Sequence, residues 1–102
     1  MNGIAENRIE IKVDKKLNNL AGNRFGRQIY SEQIKEKVQE NERNVVILPS
    51  EIEDVASSFI QGIYSEICEK YGREKAHTIM VLCSENQYVM EKINNSIVTY
   101  GI

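Results

Sequence analysis

The chain of 102 residues contains one histidine, one proline and two cysteines, and each scarcity removes a class of chemistry. With His77 as the sole imidazole, no site can use two of them, whether for a metal or for catalysis. Cys68 and Cys83 each sit among apolar residues, with no Cys-x-x-Cys pair or Cys-His cluster nearby. They read as buried free thiols, so no disulfide, metal site or cofactor is expected. Basic charge is not in excess either: Lys plus Arg number 13 against 15 for Asp plus Glu, a net charge of -2. Such a balance argues against nucleic acid and anionic membrane as partners. No apolar run approaches the roughly 20 residues of a membrane span, and Met1–Glu6 has no basic start backed by an apolar stretch. A cytoplasmic protein is expected. Pro49 stands alone, and there is no repeat, low-complexity tract or linker. With 41% hydrophobic and 27% charged residues, the chain reads as one domain over residues 1–102, its core within about 8–98.

Hydrophobic period supplies the elements. Ile9, Ile11 and Val13 alternate with charged residues, the pattern of an edge or hairpin strand with one wet face. Residues 15–24 are polar and turn-rich, and from Phe25 onward Ile29, Tyr30, Ile34 and Val38 predict a helix over about 26–41. Val45-Val46-Ile47-Leu48, stopped by Pro49, predicts a central strand buried on both faces. Ile60, Ile63, Tyr64, Ile67, Cys68 and Tyr71 follow the series of an amphipathic helix, which Gly72 ends. Thr78–Cys83 reads as a second buried strand with His77 at its edge, and Ser84-Glu85-Asn86-Gln87 as a capping box opening a last helix. The order β-α-β-α-β-α predicts a small α/β domain, three or four mostly parallel strands with three helices.

Two stretches carry candidate chemistry. In Gly22-Asn23-Arg24-Phe25-Gly26-Arg27, glycines and arginines precede a helix start, so Gly22, Arg24, Gly26 and Arg27 are candidates for holding an anion; the alternative is a turn with solvated arginines. In Ile52–Phe59, a serine is a natural helix cap. A phosphate on the same hydroxyl would instead meet the positive helix end beside Glu53 and Asp54, adding nearly two charges. Nothing matches a nucleophile elbow or a Walker phosphate loop, so catalysis is not expected.

Asn23-Arg-Phe-Gly-Arg27, the strand Val45–Leu48 and above all Ser57-Ser-Phe-Ile-Gln-Gly62 resemble the STAS-like domain family of unknown function. The resemblance covers about residues 8–98. That family is related to the STAS domains of anti-sigma factor antagonists and sulphate transporters, where a strand leads to Asp-Ser-Ser-Gly or Asp-Thr-Ser-Gly at a helix N-terminus. In the antagonists, a partner kinase phosphorylates the first hydroxyl residue. By position Ser57 matches that residue and Ser58 its neighbour, while Ala56 stands for the aspartate and Phe59 for the glycine. The resemblance implies a non-enzymatic regulatory module that docks another protein, a histidine-kinase-type ATPase or switch protein, through Ser57, Ser58, Phe59 and the following helix. The alternative is a phosphate- or nucleotide-sensing, or defence or toxin-antitoxin accessory, protein using the Gly22–Gly26 arginine loop.

The stripe of the strongest helix is directly testable. Ile63 and Ile67 sit one turn apart at its centre, and replacing either with Ala should cost about 2–5 kcal/mol in a urea or thermal melt.

Overall fold

A computed structural model describes residues 6–102; most of the N-terminal stretch read for a leader lies outside the described residues. The elements in chain order are β1 (Glu6–Glu10), β2 (Asn19–Leu20), α1 (Asn23–Ile29), β3 (Arg43–Ile47), β4 (Asp54–Val55), α2 (Ser57–Tyr71), α3 (Arg73–Ile79), β5 (Met80–Cys83) and α4 (Gln87–Tyr100). β1, β3 and β5 form a parallel sheet in that order, so the β-branched Val45-Val46-Ile47 run is its middle strand. This is the α/β arrangement the alternation of patterns predicts, with four helices where three were expected. No helix among the described residues is long and apolar enough to cross a membrane.

The sheet is two-faced. Ile9 of β1 lies in register with Val46 of β3, which lies in register with Leu82 of β5, and all three join one cluster with the buried residues of the helices. The alternate row, with Val45, Ile47, Val81 and Cys83, stands outside that cluster. The expectation of a central strand buried on both faces holds in part: Val46 is fully buried and Val45 nearly so, whereas Ile47 on the second face is only half-buried. The core reaches slightly beyond the predicted span, since Ile102 is also buried in it.

β1 ends at Glu10 although the alternation runs on to Val13, and four further features differ from the pattern for physical reasons. α1 begins at Asn23 rather than Gly26 and continues through a π-helical turn (Tyr30–Ile34) and a 3-10 turn (Lys35–Lys37). It stops short of residue 41 because the side chain of Asn44 captures the next stretch of backbone. Its Oδ1 accepts from Gln39 N at 2.9 Å and its Nδ2 donates to Gln39 O at 2.9 Å, which satisfies in an extended conformation groups a helix would otherwise use. Asn44 is fully buried, and it also accepts from Asn7 Nδ2 (2.9 Å) and donates to Ile79 O (3.0 Å). One amide thus ties together β1, β3 and the approach to β5.

The second difference is α3. Gly72 ends α2 as predicted, at φ 86, but the chain turns directly into Arg73–Ile79, where Ala76 and Ile79 face the core at helical spacing. The predicted strand loses Thr78 and Ile79 to this helix, and His77 is helical rather than at a strand edge. The third is the cap of α4: Asn86, not Ser84, holds the helix start, accepting from Val89 N at 3.2 Å, while Ser84 Oγ accepts from Asn86 N at 3.0 Å. The fourth is a parallel ribbon between β2 and β4, with Leu20 opposite Val55. Two-residue strands are too short to leave a periodic trace.

The ribbon sends two helices off side by side. Gly22, just before α1, is bonded to Ser58 at the start of α2, and one turn on, Gly26 meets Gly62 across the helix pair. A β-carbon on Gly26 would collide with the Phe59 carbonyl oxygen and lie 2.9 Å from Ile63 N; one on Gly62 would collide with the Asn23 carbonyl oxygen. Both obstacles are backbone and cannot rotate away. An alanine in an ordinary helix interior would gain about 1 kcal/mol over glycine. Here the clash dominates, and Gly62→Ala should instead destabilise by about 1–3 kcal/mol or more, read as a lowered urea midpoint at constant m-value.

Candidate functional site

The start of α2 is set by strand pairing. Ala56 N donates to Leu20 O at 2.8 Å, continuing the β2–β4 ladder, so Ala56 is extended (φ -84, ψ 149) and the helix can begin only at Ser57. Ala56 therefore holds the N-cap position, and its carbonyl receives the first bonds, from Phe59 N (3.1 Å) and Ile60 N (3.3 Å). The reading of Ser57 as a cap is corrected: its side chain closes no cap. Ser57 and Ser58 are both half-buried in the first turn, while Phe59 is fully buried.

The two serines do different things. Ser58 Oγ accepts a hydrogen bond from Gly22 N at 3.0 Å, fixing the turn into α1 against the turn into α2. Phe59 stacks against Phe25 with ring centroids 5.6 Å apart and an interplanar angle of 54°, so it anchors the helix from below and offers a partner no surface. Both serines are half-buried and neither caps the helix; what separates them is that Ser58 is tied to Gly22 N.

The Gly22–Arg27 stretch joins this site in an altered form. Gly22, at φ 97, is the turn itself. Asn23 onward is helical, so no loop exists to wrap an anion, and Gly26 is buried against α2. Arg24 and Arg27 are exposed, and Arg27 Nε donates to Asn23 Oδ1 at 2.8 Å within the first turn. The structure thus brings Gly22 and Ser58 into contact, two residues from separate candidate stretches, and leaves the guanidinium of Arg27 on its own helix.

Charge around the site is more balanced than Glu51, Glu53 and Asp54 suggest in sequence. Lys92 reaches from α4 to place Nζ 3.1 Å from Asp54 Oδ1, and the same oxygen accepts from Val55 N at 2.8 Å. The Lys92 hydrogen bond first, and the Val55 amide second, hold the Asp54 carboxyl below the usual aspartate range. Nothing in the local sequence marks Lys92 as part of this region; it arrives through the packing of α4 against α2 and β4. His77 belongs elsewhere, with its ring centroid 4.4 Å from that of Tyr64 and Nε2 2.8 Å from Ile102 O. Among the described residues no group of three His, Cys, Asp or Glu side chains is placed to hold a metal ion.

A depressed carboxyl pKa means that the folded state binds its proton less readily than the unfolded chain. The Lys92–Asp54 contact therefore supports the fold above the ordinary pKa of about 3.9 and fades as pH falls through the lower folded value. In a carboxyl-carbon NMR titration, Lys92→Ala should move the Asp54 midpoint upward toward about 3.9, and the stability difference between the two proteins should vanish at pH values below both midpoints. Comparison with protein-family models, curated proteins and solved structures gives no match to this chain.

Proposed function

We propose that this chain is a non-enzymatic regulatory module of the STAS-like kind, one that docks a partner protein at the first turn of α2 and is switched by modification of Ser57. The observation that carries the reading is the division between the serines. Ser58 is committed to Gly22 N at 3.0 Å, whereas Ser57, in the slot that the resemblance to the anti-sigma factor antagonists assigns to the phosphoacceptor, stands half-exposed with its hydroxyl outside the cap.

The electrostatics suit a switch that leaves the fold in place. A phosphate on Ser57 would sit at the positive end of a 15-residue helix, a favourable term of about 0.3–1 kcal/mol. Opposing it is the exposed Glu53, while Asp54 is already engaged by Lys92. The two effects are of similar size, so folding free energy changes little. A partner on the same turn meets the whole added charge in a desolvated contact, where like charges cost several kcal/mol. The partner class that fits is a histidine-kinase-type ATPase or another switch protein, able both to bind the turn and to act on its hydroxyl.

The test compares wild type, Ser57→Ala, Ser57→Asp and Ser58→Ala by quantitative affinity capture from the native host and by thermal melts. Ser57→Asp should lose the captured partner while melting close to wild type, and Ser57→Ala should keep both. Ser58→Ala should melt lower, because Gly22 N loses its acceptor, a cost of about 1 kcal/mol. Retention of every partner by Ser57→Asp would remove the switch.

A further inference from the structure

A purely parallel sheet is almost always covered on both faces, because its strands carry apolar side chains on each. Here the buried apolar side chains of all four helices belong to the one cluster on the Val46 face. The opposite face has its own apolar strip, Val45 and Ile47 from β3 beside Val81 and Cys83 from β5, paired in register. Val45 is 9% exposed, and the other three are half-buried. Along β1 the strip is bordered by Glu6, Arg8 and Glu10, all exposed and all on this face, and the exposed Arg43 of β3 closes its lower end beside Glu6.

We propose that this open face docks an amphipathic helix of a partner protein, its apolar stripe over Val45, Ile47, Val81 and Cys83 and its flank charged in the order basic, acidic, basic against Glu6, Arg8 and Glu10. The spacing fits. Alternate residues of a parallel strand lie about 6.6 Å apart, and helical residues four apart rise about 6.0 Å, so positions i, i+4 and i+8 of a helix aligned with β1 stay opposite the three charges. The size fits as well: three strands give a width of about 14 Å and five residues a length of about 16 Å, room for one helix about 10 Å across and three turns long.

The same charges argue against a second copy of the chain as the cover. A two-fold axis across the strands would set Glu6 over Glu10 and Arg8 over Arg8. An axis along them would lay the charged row of β1 on Val81 and Cys83. The face amounts to about 230 Å² on these dimensions, far below the roughly 800 Å² per partner of a stable interface, which suits a short, exchangeable helix.

The experiment titrates the isotope-labelled protein with two synthetic 18-residue amphipathic helical peptides sharing one apolar stripe. One carries Lys-Glu-Lys at i, i+4 and i+8 of the flank, and the other carries Glu-Lys-Glu. The first should shift the amides of residues 45, 47, 81 and 83 saturably, with at least tenfold higher affinity than the second. Arg8→Glu, on the exposed edge, should weaken the first peptide at least tenfold, and Ile47→Asp should abolish its binding. Equal binding of both peptides, shifts centred on another surface, or no shift up to millimolar peptide would overturn the proposal. So would concentration-dependent dimerisation in sedimentation that Ile47→Asp removes, which would assign the face to a second copy.

Discussion

Two helices can bring their backbones into contact only where neither carries a β-carbon at the crossing, and α1 and α2 meet this condition at Gly26 and Gly62. Much of the upper half of the molecule depends on it. The close approach lets Gly22 N reach Ser58 Oγ, holds Phe25 against Phe59 beneath the first turn, and aligns the strands of the β2–β4 ribbon that feed the two helices. Because the ribbon fixes Ala56 as the last extended residue, the helix starts one residue earlier than a serine cap would need, and Ser57 is left free. A packing constraint within the fold thereby determines which of two adjacent hydroxyls is bound to the neighbouring helix turn.

The opposite end of the sheet is organised by hydrogen bonds instead. Asn44 is one of only two buried polar residues among those described, and it satisfies both of its functional groups against backbone and side-chain partners from three segments. A buried amide with this many partners specifies geometry more sharply than an apolar side chain could, since any shift of β1 or β5 breaks a bond that water cannot replace. The domain is thus clamped at one end by shape and at the other by directional polar contacts.

What could be read in advance followed the range of the interactions involved. The α2 stripe, its glycine stop and the central place of Val45–Ile47 were legible because local period and local punctuation decide them. Gly26 was read as the place where a candidate anion loop gives way to the helix; its reason for lying inside the helix is Gly62, far along the chain. The free hydroxyl of Ser57 was hidden for the same cause, since the cap is chosen by pairing with Leu20. An unbroken run such as Val45–Leu48 has no alternation to reveal that only one of its faces meets helices. α3 was missed because it packs only Ala76 and Ile79 inward, too few positions to establish a period.

The hydroxyl of Tyr64 has a role that the core alone does not require. It donates to Met80 O at 3.3 Å and accepts from Leu82 N at 3.2 Å. Leu48 N bonds to Cys83 O at 2.9 Å, so the peptide groups of residues 81 and 83 point toward β3 and those of residues 80 and 82 point outward, along the free margin of the sheet. A single buried phenol therefore occupies the donor and acceptor that an incoming extended chain would need to lengthen the sheet past β5. The margin at β1 relies on charge, with Glu6, Arg8 and Glu10 in a row. An extended chain approaching this three-stranded sheet meets bonded backbone groups beside β5 and a charged row along β1, both of which disfavour edge-to-edge growth.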